Sequence, residues 1–440
     1  MHMPHSSLRS RRRGRGRDTA AAQVAVSRRA WTLMAAFLAP LVLATVLGLV
    51  LLWPGAEARG GSPADTLWDP AATAAGSGFV TGTVMALDLG ECPDADTAGC
   101  SAATFREGDS AGSGGAPREG SLYVPPEAMR AGLAPGDPIK AFSLDVASPG
   151  APAGTESSVA AEAAAAPGAA DYVFTDFDRN LPIGVLAVVY ALVVALVAGL
   201  KGVRALLGLV FAFTVMLGFM LPALLDGGSA VLVGCVASAV IMFVVLYAAH
   251  GFSARTTTAL LGTFGGIAVT GVLGLWWSEW SRLSGVYTEE SYLLYSNGVS
   301  TADLVVCGIL VAGLGVLNDV TITQAAAVWE LRSSNPRAGR LEVFRSAMRI
   351  GRDHIASTVY TIAFAFVGGA LMTLLLVVSS SRGFLESLTL GELAIQVVNI
   401  LVTSIGLVLA IPLTTGIAAL VAVPARPEAA PGPEAAPGPE

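Results

Sequence analysis

Five polar residues within one apolar stretch are the residues whose type and spacing could do chemistry in this sequence. They lie between Gly315 and Leu331, among residues that are mostly Ala, Val, Leu and Ile. A carboxylate in a hydrocarbon layer needs a partner or a water-filled cavity, and such groups mark ion and substrate pathways. The three-residue spacing of Asn318, Thr321 and Gln324 predicts a stripe facing the interior of a helix bundle. We expect a substrate or ion pathway lined by Asn318, Asp319, Thr321, Thr323 and Gln324.

Asp319 also has a second interpretation. A straight helix over residues 302–331 would be about 45 Å long, more than a bilayer requires. The span could therefore end near Leu317, with Asp319 as the N-cap of an interfacial helix. Gly313 and Gly315 favour either a helix break or a close approach of two helices. The sequence leaves a buried site and a helix cap open, and a capping Asp319 at the mouth of a pathway would satisfy both.

Two further polar groups accompany this stretch. The first is expected near the inner membrane surface, where it would gate the pathway, although a salt-bridged helix start and a structural histidine explain some of its members equally well. The second lies inside apolar segments, where hydroxyl and amide groups commonly hydrogen-bond between helices. The expected gate comprises His250, Arg255, Glu330, Arg352, Asp353 and His354, and the expected helix-packing group comprises Thr358, Thr361, Asn399, Thr414 and Thr415.

The composition determines which elements position these residues. The chain has 440 residues, of which 53% are hydrophobic and 13% charged, and its mean hydropathy is +0.65. A soluble chain carries about a quarter charged residues, so an ordinary soluble domain is excluded. We predict an all-α polytopic membrane bundle of about eight transmembrane helices, each of about 20 apolar residues. The predicted spans are 31–53, 182–200, 205–225, 230–250, 257–277, 302–328, 355–379 and 395–423.

The basic residues predict the orientation of the bundle in a bacterial cell membrane. Most of the 26 Lys and Arg residues fall before the first span or in alternate short loops. The positive-inside rule then places both termini in the cytoplasm. Residues 1–30 are expected to be a disordered basic head. Residues 31–53 are expected to be a signal anchor, although Ala56 and Ala58 would also suit signal-peptidase cleavage. Residues 424–440 are expected to be a disordered, acidic, Pro-rich tail.

Residues 54–181 are expected to form an extracytoplasmic region. Alternating apolar and polar residues predict a small β-rich core at about 79–146, flanked by Ala-, Gly- and Pro-rich linkers. Cys92 and Cys100 would lie in an oxidising compartment and are expected to form a disulfide. A metal site there is not expected, because no His or further Cys is nearby. The mild acidity of the chain gives no support to nucleic-acid binding.

Several motifs resemble the YibE/F family of multipass bacterial membrane proteins, in the single-chain form of high-GC Gram-positive bacteria. The resemblance covers residues 79–423. Its motifs are Asp176-Phe177-Asp178-Arg179, AHGFSART ending at Thr256, GVLNDVTITQAAAVWEL from Gly315, IGRDHIASTV from Ile350 and IPLTTGIAAL from Ile411. Family members often have a second acidic residue at Asn318, Ser at Ala326 and Asn at Tyr360. These departures disfavour a paired carboxylate and favour one titrating or cation-contacting group.

The resemblance implies a permease-like integral membrane protein in contact with the lipid bilayer. We expect it to move a small solute or ion through the polar site of the sixth span, without a cofactor and without enzymatic activity. The chain has no G-x-x-x-x-G-K-[ST] loop for nucleotide phosphates. The alternative is an envelope sensor or scaffold whose extracytoplasmic domain binds a partner. Either function is compatible with a homo-oligomer.

Overall fold

The computed structural model describes residues 24–55, 79–88, 101–108, 118–143, 171–296, 299–379 and 383–424. Cys92 and Cys100 lie outside the described residues, so the predicted disulfide remains a prediction. The same holds for the basic residues before Val24 and for the acidic tail beyond Pro424.

Helices form most of the described chain. Six helical stretches of the described chain are long and apolar enough to cross a membrane, or seven if the bent pair Arg340–Gly369 and Leu371–Ser379 counts as one span. A π-helical turn, Met216–Met220, interrupts the stretch Asn180–Leu225. The helices are α1 Arg28–Leu51, α2 Pro126–Arg130, α3 Asn180–Val215, α4 Leu221–Leu225, α5 Ala230–His250, α6 Ala254–Trp280, α7 Glu289–Ser296, α8 Thr301–Ser334, α9 Arg340–Gly369, α10 Leu371–Ser379, α11 Phe384–Ser387 and α12 Gly391–Val421.

The predicted second and third spans are joined by a sharp turn at Gly199 rather than by a separate loop, so they count as one helical stretch. The predicted second and third spans lie in one helical stretch, Asn180–Leu225, but Gly199 has non-helical dihedral angles (φ 58°, ψ −142°). A Cβ atom added to Gly202 would lie 2.5 Å from the carbonyl oxygen of Val194, whereas eight residues of straight helix rise about 12 Å. The chain therefore changes direction at Gly199, which divides α3 into a first arm, residues 180–198, and a second arm.

The predicted seventh span also differs from the structure. α9 begins at Arg340 rather than at residue 355, so the predicted span continues a helix that starts well before it. Gly351 lies inside this helix without interrupting it. Its lack of a side chain lets α9 pack closely against Gln324 and Ile411. The apolar part then bends by 66° between α9 and α10.

The β-rich region is a closed five-stranded barrel. The strands are β2 Phe79–Asp88, β3 Ser101–Glu107, β4 Glu119–Val124, β5 Pro138–Ser143 and β6 Tyr172–Phe177. Their order is β2-β3-β4-β6-β5, and β4 and β6 are parallel. With α2 between β4 and β5, this is the topology of an OB-fold. Val84, Phe105, Leu122 and Ile139 are fully or almost fully buried at its centre. The barrel extends beyond the predicted core of 79–146, because β6 completes it.

No free linker separates the barrel from α3. The Asp178 N–H donates to the Pro138 carbonyl (2.9 Å), which continues the β5–β6 ladder, and the Ile183 N–H donates to the Arg179 carbonyl (3.0 Å), which begins the helix. Arg179 Nη1 also donates to Asp176 Oδ2 at 2.6 Å. This hydrogen bond lowers the pKa of the Asp176 carboxyl below its usual value.

A two-stranded ribbon joins the two ends of the described chain. β1, Val24–Val26, pairs antiparallel with β7, Ala422–Pro424. The buried Arg332 guanidinium holds this ribbon, because Nε donates to the Ala422 carbonyl (3.1 Å) and Nη1 to the Ala338 carbonyl (2.6 Å). Residues 24–30 are thus ordered as strand and helix, which corrects the expectation that the disordered head reaches residue 30.

The turn at Gly199 gives a stability prediction. Gly199→Ala should destabilise the protein by about 1–3 kcal/mol, because its φ of 58° is costly for a residue with a Cβ atom. Thermal unfolding in detergent, followed by tryptophan fluorescence, measures the change. Gly184→Ala is the control, since that glycine lies in the first arm, close to Gly199 in sequence, has no positive φ and has open space around it. Equal melting temperatures for the two variants would contradict a required turn.

Candidate functional site

The site is positioned by three helices, α6, α8 and α12, that meet through glycines. A Cβ atom on Gly262 would overlap the Thr414 side chain, and one on Gly406 would overlap Thr270 Oγ1. Gly266 likewise faces Leu317 closely. Because lipid tails give helices no hydrophobic reason to associate, such close packing is what holds membrane helices together. The packing fixes the rotation of α8 about its axis.

Two polar contacts cross this three-helix core. Thr263 Oγ1 on α6 lies 2.6 Å from Thr321 Oγ1 on α8. Thr415 Oγ1 on α12 donates to Gln324 Oε1 on α8 at 3.0 Å. Thr321, Gln324 and Thr415 are at most 1% exposed. Two residues of the predicted pathway are therefore contacts inside a closely packed core, as the predicted inward stripe requires.

Asp319 and Thr323 lie on the opposite side of α8. The Asp319 side chain is 67% exposed, and its Oδ2 lies 3.8 Å from Nε2 of His354 on α9. The exposed Thr323 donates its hydroxyl to the Asp319 carbonyl at 2.8 Å. Asn318 is half-buried beside them, and its Oδ1 has no hydrogen-bond partner among the described residues. The structure thus joins Asp319, from the predicted pathway, to His354, from the predicted gate.

Helix packing gives the position of the Asp319–His354 pair along the bundle. Ala254, beside Arg255 at the start of α6, belongs to the same packed cluster as Trp329 on α8, so the start of α6 is level with this part of α8. Asp319 precedes Trp329 by ten residues, which is about 15 Å along a helix. The pair thus lies within the length of α8, a helix that is long and apolar enough to cross a membrane, and an ionised side chain that faces lipid is unfavourable.

The uninterrupted α8 decides between the two interpretations of Asp319. α8 continues from Thr301 to Ser334 with helical hydrogen bonds on both sides of Asp319. Asp319 is therefore not an N-cap, and Gly313 and Gly315 do not break the helix. The N-cap of α8 is Ser300, whose hydroxyl accepts from the Asp303 N–H at 3.4 Å.

The remaining members of the predicted gate do not form one cluster with His354. Arg352 and Asp353 are exposed on α9, and Glu330 is exposed near the end of α8. His250 ends α5, and Arg255 is in the first turn of α6, both exposed.

The predicted helix-packing residues divide into two kinds. Thr414 and Thr415 are fully buried in the three-helix core. Thr358 and Thr361 donate to carbonyls of their own helix, at 2.9 and 3.0 Å. Asn399 is half-buried, and its Oδ1 accepts from Thr403 on the same helix at 3.2 Å.

Sequence reasoning missed Thr263 and Thr270. Both are at most 1% exposed on α6 and face α8 or α12. The available signal was the seven-residue spacing of Thr256, Thr263 and Thr270, which places three hydroxyls on one stripe of a helix.

Within the described part of the chain, no group of three or more His, Cys, Asp or Glu residues is placed to hold a metal ion. Cys235 and Cys307, on α5 and α8, are free thiols.

A bundle of long apolar helices, a polar pair within it and a small barrel beside it define a polytopic α-helical membrane protein. A profile of the YibE/F-like protein family matches residues 186–424, more than half of the chain. The chain therefore belongs to the YibE/F-like family. No curated protein and no solved structure matches it.

The close packing of α6 against α12 gives a second prediction. Gly406→Ala should destabilise the bundle by about 1–3 kcal/mol, because the new methyl group overlaps Thr270 Oγ1. Adding Thr270→Ala should restore much of the loss. Unfolding in detergent measures both variants. Gly308→Ala is the control, since nothing lies within 4 Å of a Cβ atom there; a loss as large in the control would refute a specific contact.

Proposed function

We propose that the chain is a permease for a small solute or ion, and that Asp319 and His354 form its proton-coupled site. The observation that carries the proposal is the 3.8 Å approach of Asp319 Oδ2 to His354 Nε2 between two packed helices. Carboxylates and histidines inside membrane-spanning segments are typical of proton relays in pumps and transporters. The proposal assigns no enzymatic step to the chain.

The chemistry of the pair suits proton exchange. A proton can lie on the imidazole beside a carboxylate, or on the carboxyl beside a neutral imidazole, and the pair has no net charge in either arrangement. Only an added or lost proton changes that charge, so solute binding and proton binding can be coupled through it. The neutral Asn318 does not titrate, which leaves Asp319 as the single acid of the cluster, in agreement with the resemblance.

The surroundings of the pair supply an access route. Along α8, Thr323 and Glu330 are exposed toward the interface. Along α9, Ser357 and Thr361 are exposed on the other side of His354. A lipid-facing surface would carry Leu and Val at such positions. We take these exposed polar side chains of α8 and α9 as the lining of the solute path.

The orientation is part of the same proposal. Arg28, Arg29 and Arg255 lie at one end of the bundle, because α1 and α6 begin there in one packed cluster. The positive-inside rule places this basic end in the cytoplasm. The first arm of α3 then leads from the barrel, outside the cell, to Gly199 on the cytoplasmic side.

The barrel supports a second candidate function, an envelope sensor. The specific observation is the rigid connection between β6 and α3, in which ladder hydrogen bonds end at Asp178 and helical ones begin at Arg179. A ligand that reorients the barrel would therefore move the first arm with it. Residues 180–198 include no buried side chain, so the bundle offers this arm little resistance.

The two candidates differ in what Asp319 must do. Cells lacking the protein are restored with the wild type, Asp319→Asn or His354→Gln at matched membrane levels, and solutes and metal ions inside and outside are compared. For the permease, Asp319→Asn should lose at least about tenfold in transport, as expected when an ion pair in a low-dielectric site is removed. His354→Gln should lose transport to a similar extent, because it removes the partner of the Asp319 carboxylate.

Asp303→Asn is the matched control, because it makes the same change on the same helix but in the first turn of α8, away from the pair. It should restore the cells like the wild type. Full restoration of the cells by Asp319→Asn would refute the permease proposal. If barrel deletions alone then failed to restore the cells, the sensor would be favoured.

A further inference from the structure

The start of α9 carries an exposed basic stripe that the proposed transport reaction does not use. Arg345, Arg349 and Arg352 are exposed and follow one another at helical spacing. Leu341 and Ile350 lie beside the stripe with 58% and 48% of their surfaces exposed. Positive charges next to exposed apolar side chains are typical of a surface in contact with both lipid headgroups and acyl chains.

A shallow depression lies within this stripe. It has a volume of about 530 Å³, and its lining is Gly339, Leu341, Glu342, Arg345, Ser346 and Arg349. Arg349 Nη2 donates to Ser346 Oγ at 2.9 Å, so two of the lining side chains are hydrogen-bonded to each other. The one carboxylate of the lining, Glu342, accepts from the Gly339 N–H at 3.3 Å and so faces the helix N-terminus. The two arginines give the depression a net positive charge.

Helix packing places the depression at a membrane interface. Val343 and Ala347 share a packed cluster with Val328 on α8. The neighbouring Trp329 packs with Ala254, beside Arg255 at the start of α6. Arg345 and Arg349 are therefore level with the basic end of the bundle, where phospholipid phosphates lie, and Arg352 is deeper by about one helical turn.

We propose that this depression binds the headgroup of an anionic phospholipid. Arg345 and Arg349 contact the phosphate, Ser346 supplies a further donor, and Leu341 and Ile350 contact the acyl chains. Arginine suits this role because its planar guanidinium donates two parallel hydrogen bonds to a phosphate. The acyl-chain contact distinguishes a lipid from free phosphate. The site is separate from Asp319, so it does not depend on the proposed transport function.

The test counts lipids bound to the purified full-length protein. Phosphatidylglycerol or phosphatidylcholine is added to detergent micelles, and native mass spectrometry measures the bound fraction. The wild type should bind phosphatidylglycerol in preference to phosphatidylcholine. In Arg345→Gln/Arg349→Gln that binding should weaken by about tenfold or more, because both guanidinium contacts to the phosphate are lost.

The control is Lys201→Gln/Arg204→Gln, which removes the same charge from exposed residues at the turn between the arms of α3. It should keep the wild-type affinity, and equal melting temperatures of the two double variants establish that both are folded. Equal losses in both would show a general charge effect and overturn the site. Displacement of the lipid by millimolar inorganic phosphate would also overturn it, because a free anion would then suffice.

Discussion

The close packing of α6, α8 and α12 is the constraint on which the rest of the structure depends. Gly262, Gly266 and Gly406 bring the helices so near that an added methyl group would meet a side chain of the neighbouring helix. Thr321 and Gln324 are thereby held toward α6 and α12. Since residues on one helix have a fixed angular relation, Asp319 must then point away from the core, toward α9. The position of the carboxylate is a consequence of contacts on the other side of its helix.

α9 completes the arrangement because it is long and unbroken. Its first turns pack against the end of α8 that contains Val328, and further along the helix His354 lies level with Asp319. The same length carries the arginines of its exposed side to the interface. One helix thus presents His354 to Asp319 on α8 and carries the arginines on its exposed side.

Much of the fold could be predicted from the sequence, because long apolar runs and alternating strands are strong local signals. The division at Gly199 was predicted as a loop, and the structure achieves it with one left-handed residue. β6 was missed, because it pairs with strands distant in sequence. In the site, the three-residue spacing in the sequence predicted that Thr321 and Gln324 face the interior of the bundle. The sequence did not predict the pairing of Asp319 with His354, because that pairing depends on how far α9 extends along α8.

The most direct test of the account is whether Asp319 and His354 exchange protons as a pair. Infrared difference spectra of the reconstituted protein, recorded between acidic and neutral pH, report carboxyl protonation. The account predicts a carboxyl band that disappears in Asp319→Asn and changes in frequency or intensity in His354→Gln, because the imidazole lies beside the carboxylate. A band that is unchanged in His354→Gln, or the absence of any band sensitive to Asp319→Asn, would contradict it.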